Sequence, residues 1–552
     1  MKKSDLIMAV VIVIIALIIV IPLFNEKKNE EITTISNAGF LPATIDQQAT
    51  STSTLELSDG DKIDLIAEII MKEINGKKYA MYGYNGQIPG PFFKVQKGST
   101  ITVHFQNNID QPTTIHWHGL RHNIKDDGVP GVSQKEIQPG ETYTYTVSFP
   151  DTGIFWYHPH VREDMQQDLG LYGNMLIQET NYFNPVNREE ILILDDILIN
   201  DQGLVPFGKE YATHALMGRF GNVMLVNGET NYALEANKGE IIRFYITNVA
   251  NVRPFNLVIP GAKIKLVGSD LGKYEKETFV ENIIIAPAER YIIEVYFEKS
   301  GQYQIQNKNP EKIYDLVIID VTNKKISSDY SKQFNTLKEN QEVIEDINQF
   351  KSYFDKPVDY ELELTMEMNM MNMQGMGAMM EDPSSMDDMS CHQMPNGEMM
   401  GNCDNEKDMM QGMSMMGKIE PIEWEDDMAM MNSLSTSENT NWIIRDKKTG
   451  KENMDIMYKA KVGDKIKIRL FNNPNSMHPM QHPIHLHGQR FLVLSINEKS
   501  NENLVWKDTV LVPTGSTIDI LVDVTNPGEW MLHCHIAEHL TSGMMTSVSV
   551  EP

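Results

Sequence analysis

Ten of the chain's 15 histidines fall in four short clusters: His116-Trp-His118, His158-Pro-His160, His482-Pro-Ile-His485-Leu-His487, and His533-Cys-His535 with His539. A lone histidine is more often structural than a ligand, but four clusters at equivalent ends of repeated strands point to metal binding. Side chains on a strand alternate faces, so both members of each H-x-H pair point the same way. The pairs 116/118, 158/160, 485/487 and 533/535 therefore supply eight imidazoles able to converge on one cluster. Eight is too many for a single zinc or copper and suits three metals with positions left open for a ligand. Cys534 lies between His533 and His535 and must face the other way, as must His482, three residues before His485. His539 and Met544 follow in a loop able to fold back. One cysteine, two histidines and a methionine make a blue-copper electron-transfer site with a weak axial thioether. Cys534 is covalently flanked by two members of the histidine cluster, a short through-bond path between the two sites.

The elements that must position these residues repeat three times. Val95–Asn108, Ala236–Asn248 and Ala460–Asn473 each carry a glycine turn, then alternating apolar and polar residues ending in asparagine. That pattern predicts a strand with one face buried. A second unit begins at Pro139, Pro287 and Pro513 and runs into Tyr143–Val147, Tyr291–Val295 and Thr517–Leu521. Each copy then turns through a glycine (Gly153, Gly301, Gly528) into another strand. Three such units predict three β-sandwich domains, with limits 55–180, 181–345 and 346–552. The histidine clusters lie in the first and third, and the middle one holds only His214.

The chain has 552 residues with 76 acidic against 48 basic side chains, a net charge of −28. No basic stripe is present to bind nucleic acid or an anionic membrane surface. Three cysteines cannot make a disulfide framework. At the N-terminus, Leu6 to Phe24 are uncharged and almost wholly aliphatic and follow Lys2 and Lys3, long enough to span a bilayer as a helix. Residues 1–24 are therefore expected to be a transmembrane anchor, or else a cleaved signal, and both place the protein outside the cytoplasm. Residues 25–54 are polar and suit a flexible tether.

The motifs H-W-H-G, H-P-H, H-P-I-H-L-H-G and H-C-H-x3-H-x4-M resemble those of the multicopper oxidases, as does Tyr84-Asn-Gly-Gln-Ile-Pro-Gly-Pro91. The resemblance covers the whole exported region. It implies three cupredoxin-like Greek-key domains, four copper ions, and four one-electron substrate oxidations coupled to reduction of O2 to water. Carried over by motif, His482, Cys534, His539 and Met544 hold the type 1 copper. His116 and His485 hold the type 2 copper, and His118, His158, His160, His487, His533 and His535 hold the type 3 pair. The middle domain would be a spacer, and a monomer is expected. Asp127, followed by Gly128, matches an acidic position that in the family lies near the type 2 site and relays protons; an ordinary Asp-Gly turn is the competing reading. Many bacterial relatives also have a carboxylate after the last histidine ligand, where this chain has Leu540, with Glu538 on the other side of His539.

The substrate signal is methionine. Of 36 methionines, 21 lie between Met366 and Met431, a window with 14 acidic and two basic residues. Thioethers are soft ligands that suit Cu(I), and the window lacks the aliphatics for a core of its own. Cuprous oxidases carry a similar insertion, which makes Cu(I) the expected substrate and copper tolerance the expected role. Met480, two residues before His482, is expected on the rim where electrons enter; Met477 and His478 are close enough to join it. Cys391 and Cys403 within the insert suggest a disulfide or a copper clamp. A laccase-like oxidase of phenols, Mn(II) or Fe(II), and a non-enzymatic copper store, remain the alternatives.

Overall fold

The computed structural model describes residue 41 and residues 45–368, 392–393, 399–400 and 420–552. The expected membrane helix, Cys391, Cys403 and most of the insert lie outside the described residues. Among the described residues, no helix is long and apolar enough to cross a membrane.

The strands group into successive pairs of sheets. Residues 54–178 supply a five-stranded and a four-stranded sheet, 188–322 a six- and a five-stranded sheet, and 360–551 a seven- and a five-stranded sheet. The three predicted repeat strands are present as Thr100–Asn108, Ile241–Asn248 and Lys465–Asn472. Each pairs antiparallel with the strand that follows its proline: Thr142–Ser148, Arg290–Tyr296 and Thr517–Asp523. Each also pairs in parallel with an earlier strand, Lys62–Ile74, Arg188–Ile197 or Tyr360–Met368.

The asparagines near the ends of the repeats explain themselves. Asn107 donates to the carbonyls of Gln111 and Ile137, Asn248 to those of Arg253 and Ile285, and Asn472 to those of Met480 and Val512. Each buried amide thus donates to two backbone carbonyls at the strand end, tying neighbouring elements together. In the third copy this fixes the loop that delivers His482.

The apolar core of the first segment continues into Leu492, Leu504, Trp506 and Leu521 of the third. The two histidine-bearing segments therefore pack as one body, as a shared site requires.

The strand beginning at Tyr360 runs to Met368, and Met366 is buried in the core of the third segment. The start of the methionine-rich window is therefore a sheet strand. Its far end is held too: Thr514 N–H donates to Pro421 O, and Asn432 binds Gly218 O and Asp426.

Candidate metal centre

The ligand strands meet in pairs. His116–His118 runs antiparallel to Gly153–His158 with His116 opposite His158. His482–Leu486 runs antiparallel to Gly528–Cys534 with His485 opposite His533. The two pairs face each other across the junction of the first and third segments, where the rings interleave. His118 stacks on His485 at 3.7 Å between centroids, and His116 on His487 at 3.9 Å.

All eight predicted imidazoles come together, with His535 5.0 Å from His118 and 5.1 Å from His158 between ring centroids. Donor atoms within 4.8 Å of one another are supplied by His116, His118 and His158, by His116, His485 and His487, and by His160, His487 and His533. Three of the rings share one arrangement: one nitrogen is tied to a backbone carbonyl and the other is left bare. His116 Nδ1 donates to Asp127 O at 2.8 Å, His158 Nδ1 to Pro159 O at 2.9 Å, and His485 Nδ1 to Asp508 O at 2.9 Å. The Nε2 atoms of His116, His158, His160 and His485 are buried without a hydrogen-bond partner. His487 Nε2 and His533 Nε2 lie 2.9 Å apart, directed at the same point. Buried polar atoms are rarely left unpaired unless something else fills the need. Bare nitrogens on rings oriented by outer hydrogen bonds are what bound copper requires.

The opposite strand face carries the second group. Cys534 Sγ is 3.5 Å from His482 Nδ1 and 3.8 Å from His539 Nδ1. Met544 is buried in the same apolar cluster, held by Met544 N–H to His539 O at 3.0 Å and Cys534 N–H to Met544 O at 3.1 Å. The loop after Cys534 does fold back. Trp442 stacks on His539 at 3.9 Å.

Burial keeps these rings neutral. Desolvation is the main cause lowering His118, His158, His160, His482, His485, His487, His533, His535 and His539. His160 and His482 fall to about 3 from 6.5. Burial likewise pushes the Cys534 thiol up, so it needs a metal to ionise. In the metal-free protein the histidines bind protons more readily unfolded than folded below pH 6.5, so stability rises with pH there. Their contribution is present above about 6.5 and lost as the pH falls toward about 3. Thermal melts of the metal-free protein should show a steep fall in Tm across that window, and copper loading should shift the fall to lower pH.

Asp127 is part of the site. Its Oδ2 accepts from His487 Nδ1 at 2.9 Å, while Oδ1 lies 3.3 Å from His116 Nδ1 and 3.7 Å from His122 Nε2. Burial works against its charge, yet His487 and His116 hold its carboxyl well below the usual range. Gly128 explains the dipeptide: its φ is +80°, and a Cβ there would meet Ile115 O at 1.8 Å. The turn is an Asp-Gly turn pressed against the strand that carries His116, and it sets the carboxylate beside His116 and His487.

Other expectations change. Met480 is fully buried in the third segment's core rather than on a rim, in the loop whose carbonyl at Met480 accepts from Asn472 Nδ2 at 2.7 Å. Met477 is exposed, and His478 Nε2 is buried and unpaired, close enough to His482 to depress it. Leu540 packs on Val129 and Met531 and offers no acid. Glu538 is buried against Asn251 and pushed up to about 8 by burial and by Asp164. Three residues without motif signals also sit at the site: Glu163, 3.1 Å from His160 Nδ1, Asp508, 3.1 Å from His118 Nε2, and Arg290 behind it.

Sequence profiles described as multicopper oxidase match residues 67–182, 156–324 and 425–552. The chain belongs to the multicopper oxidase family. A multicopper oxidase of Staphylococcus haemolyticus is 27% identical over 85% of this chain and 83% of its own. Copper resistance protein A of Escherichia coli is 25% identical over 89% of this chain and 93% of its own. A solved multicopper oxidase from Campylobacter jejuni, described as a metallo-oxidase, superposes with a TM-score of 0.63 at 23% identity, covering 92% and 96% of the two chains. As a multicopper oxidase, the protein has an all-β cupredoxin-like fold and is a copper-dependent oxidoreductase that uses O2. The bare imidazole nitrogens and the Cys534–His482–His539 group fit copper.

Proposed function

We propose that this multicopper oxidase holds four coppers and oxidises Cu(I) to Cu(II) at the expense of O2, in the service of copper tolerance. Cys534, His482, His539 and Met544 would hold the type 1 ion. His116 and His485 would hold the type 2 ion, and His118, His158, His160, His487, His533 and His535 the type 3 pair. Bound there, copper would supply the one-electron redox chemistry. The chain's own residues do the rest: the sandwich interiors exclude water, backbone carbonyls fix the imidazole tautomers, and Asp127 Oδ1, buried and without a hydrogen-bond partner, can take up a proton beside His116. The domain limits 55–180, 181–345 and 346–552 remain the working division, with an exported, membrane-anchored monomer as the expected form.

The observation that carries the Cu(I) reading is where the methionine-rich segment returns to the fold. Glu423 N–H donates to Gln481 Oε1 at 2.7 Å, and Gln481 Nε2 returns to Glu423 O at 3.2 Å, next to His482. On the other flank, Met366 N–H donates to Ser476 Oγ at 3.0 Å. Both ends of the segment are thus anchored to the loop 473–482 that leads into the type 1 group. Glu423 is pushed up to about 7 by burial and by Asp427, Glu311 and Glu420, an acidic neighbourhood that favours a cation.

Oxygen uptake with Cu(I), Fe(II) and a phenol separates the candidate substrates. Replacing 370–418 by a short linker, which spares Met366 and the 420–431 return, should cut Cu(I) turnover at least about tenfold and leave phenol turnover within about twofold, as expected when only remote binding contacts are removed. Unchanged Cu(I) turnover with dominant phenol oxidation in both proteins would defeat the Cu(I) assignment and favour a laccase-like enzyme.

A further inference from the structure

The middle segment carries none of the proposed ligands, yet one of its side chains reaches into the metal centre. Arg290 opens the strand Arg290–Tyr296 and is fully buried. Its Nη1 and Nη2 donate to Asp508 Oδ1 and Oδ2 at 2.6 and 2.5 Å, a two-pronged pair. Its Nε donates to Ile154 O of the first segment at 2.9 Å, and Nη1 also to Ala288 O of its own segment at 3.0 Å. One guanidinium therefore ties together elements from all three segments.

Asp508 passes this fixation to two rings. Its Oδ1 lies 3.1 Å from His118 Nε2, and its main-chain oxygen accepts from His485 Nδ1 at 2.9 Å. His118 differs from the other oriented rings: its outer hydrogen bond is made by Nε2, and Nδ1 is the nitrogen left bare. A carboxylate on Nε2 holds the proton there and leaves the Nδ1 lone pair free for a metal. The space for the pair exists because residue 119 is glycine. A Cβ at Gly119 would lie 2.5 Å from Asp508 Oδ2 and 2.9 Å from Arg290 Nη2, and its φ is +88°.

We propose that Arg290 and Asp508 are positioning residues of the trinuclear copper site, through which the middle segment sets the ring nitrogen that His118 presents and the seat of His485. The middle segment is then a working part of the metal centre rather than a spacer. This rests on the ligand assignment proposed above.

The test compares Arg290→Gln, Asp508→Asn, Arg290→Lys, His118→Ala and a control, Arg243→Gln, which breaks another buried ion pair of the middle segment, to Glu294. Copper content is followed through a chelator series, with the blue type 1 absorption and the type 2 paramagnetic signal as separate readouts. Arg290→Gln and Asp508→Asn are expected to keep the blue colour and to lose trinuclear copper at about 10- to 100-fold lower chelator concentration, the usual cost of removing an outer partner of a ligand. Arg290→Lys, which keeps the charge without the fork, should fall between them and the parent. It carries the same comparison if the glutamine variant does not accumulate folded. The proposal is overturned if these three variants retain copper like the parent while His118→Ala loses it, or if Arg243→Gln loses as much as Arg290→Gln. Full trinuclear copper in His118→Ala would overturn the ligand assignment and this proposal together.

Discussion

Replacing Cys534 by serine is expected to abolish the blue colour and reduce oxidase turnover to background, while the trinuclear copper stays in place. The thiol is the sulfur at the centre of the group formed with His482 and His539, at 3.5 and 3.8 Å. It is also the covalent link between that group and His533 and His535 on the opposite strand face. Serine keeps the size but offers a hard oxygen in place of a soft thiolate, so a blue site cannot form. The fold should tolerate the change, since the backbone bonds between Cys534, His539 and Met544 do not use the sulfur. Absorption spectra and copper content check both halves. Persistent blue colour in Cys534→Ser would place the type 1 copper elsewhere.

Replacing Asp127 by alanine is the second large effect. The variant should retain the blue colour and its reduction by substrate but lose about 10²- to 10⁴-fold in O2-dependent turnover, the range for removing a positioned proton-transfer group. Two features make Asp127 more than a turn residue. It accepts from His116 through its backbone oxygen and from His487 through Oδ2, and its Oδ1 has no hydrogen-bond partner. His487 and His116 keep it ionised despite burial, and its unpaired Oδ1, 3.3 Å from His116 Nδ1, is the atom placed to handle a proton. Stopped-flow reduction of the blue band, compared with oxygen uptake, divides the two half-reactions. Equal slowing of both would assign Asp127 to the architecture of the type 1 side instead. Gly128→Ala should imitate the loss, because a Cβ cannot fit beside Ile115 O.

The convergence of the histidine pairs is legible in the sequence because strand parity is a local property: 116 and 118 must share a face whatever the fold does. The repeats were readable for the same reason, and their strands pair as their spacing suggested. Asp508 and Arg290 were not, since they meet across 218 positions of sequence and neither belongs to a ligand motif. One signal was present. Aligned on the prolines 139, 287 and 513, the middle copy has Arg290 where the other two have Thr142 and Ser516. A charge at a position that is otherwise a hydroxyl, in the segment without ligands, marks the side chain sent to the site. Met480 shows the opposite failure. Its place two residues before His482 suggests a rim, but closeness in sequence does not say whether a side chain meets solvent or core, and Met480 is buried. Glu163 became visible only when the short helix Glu163–Gln166 brought it back to His160.

Anomalous diffraction at the copper absorption edge, on crystals of the copper-loaded protein, tests the central claim most directly. Four peaks are predicted, one among Cys534, His482 and His539 and three among the eight converging imidazoles. A single peak, or none among the imidazoles, would contradict it.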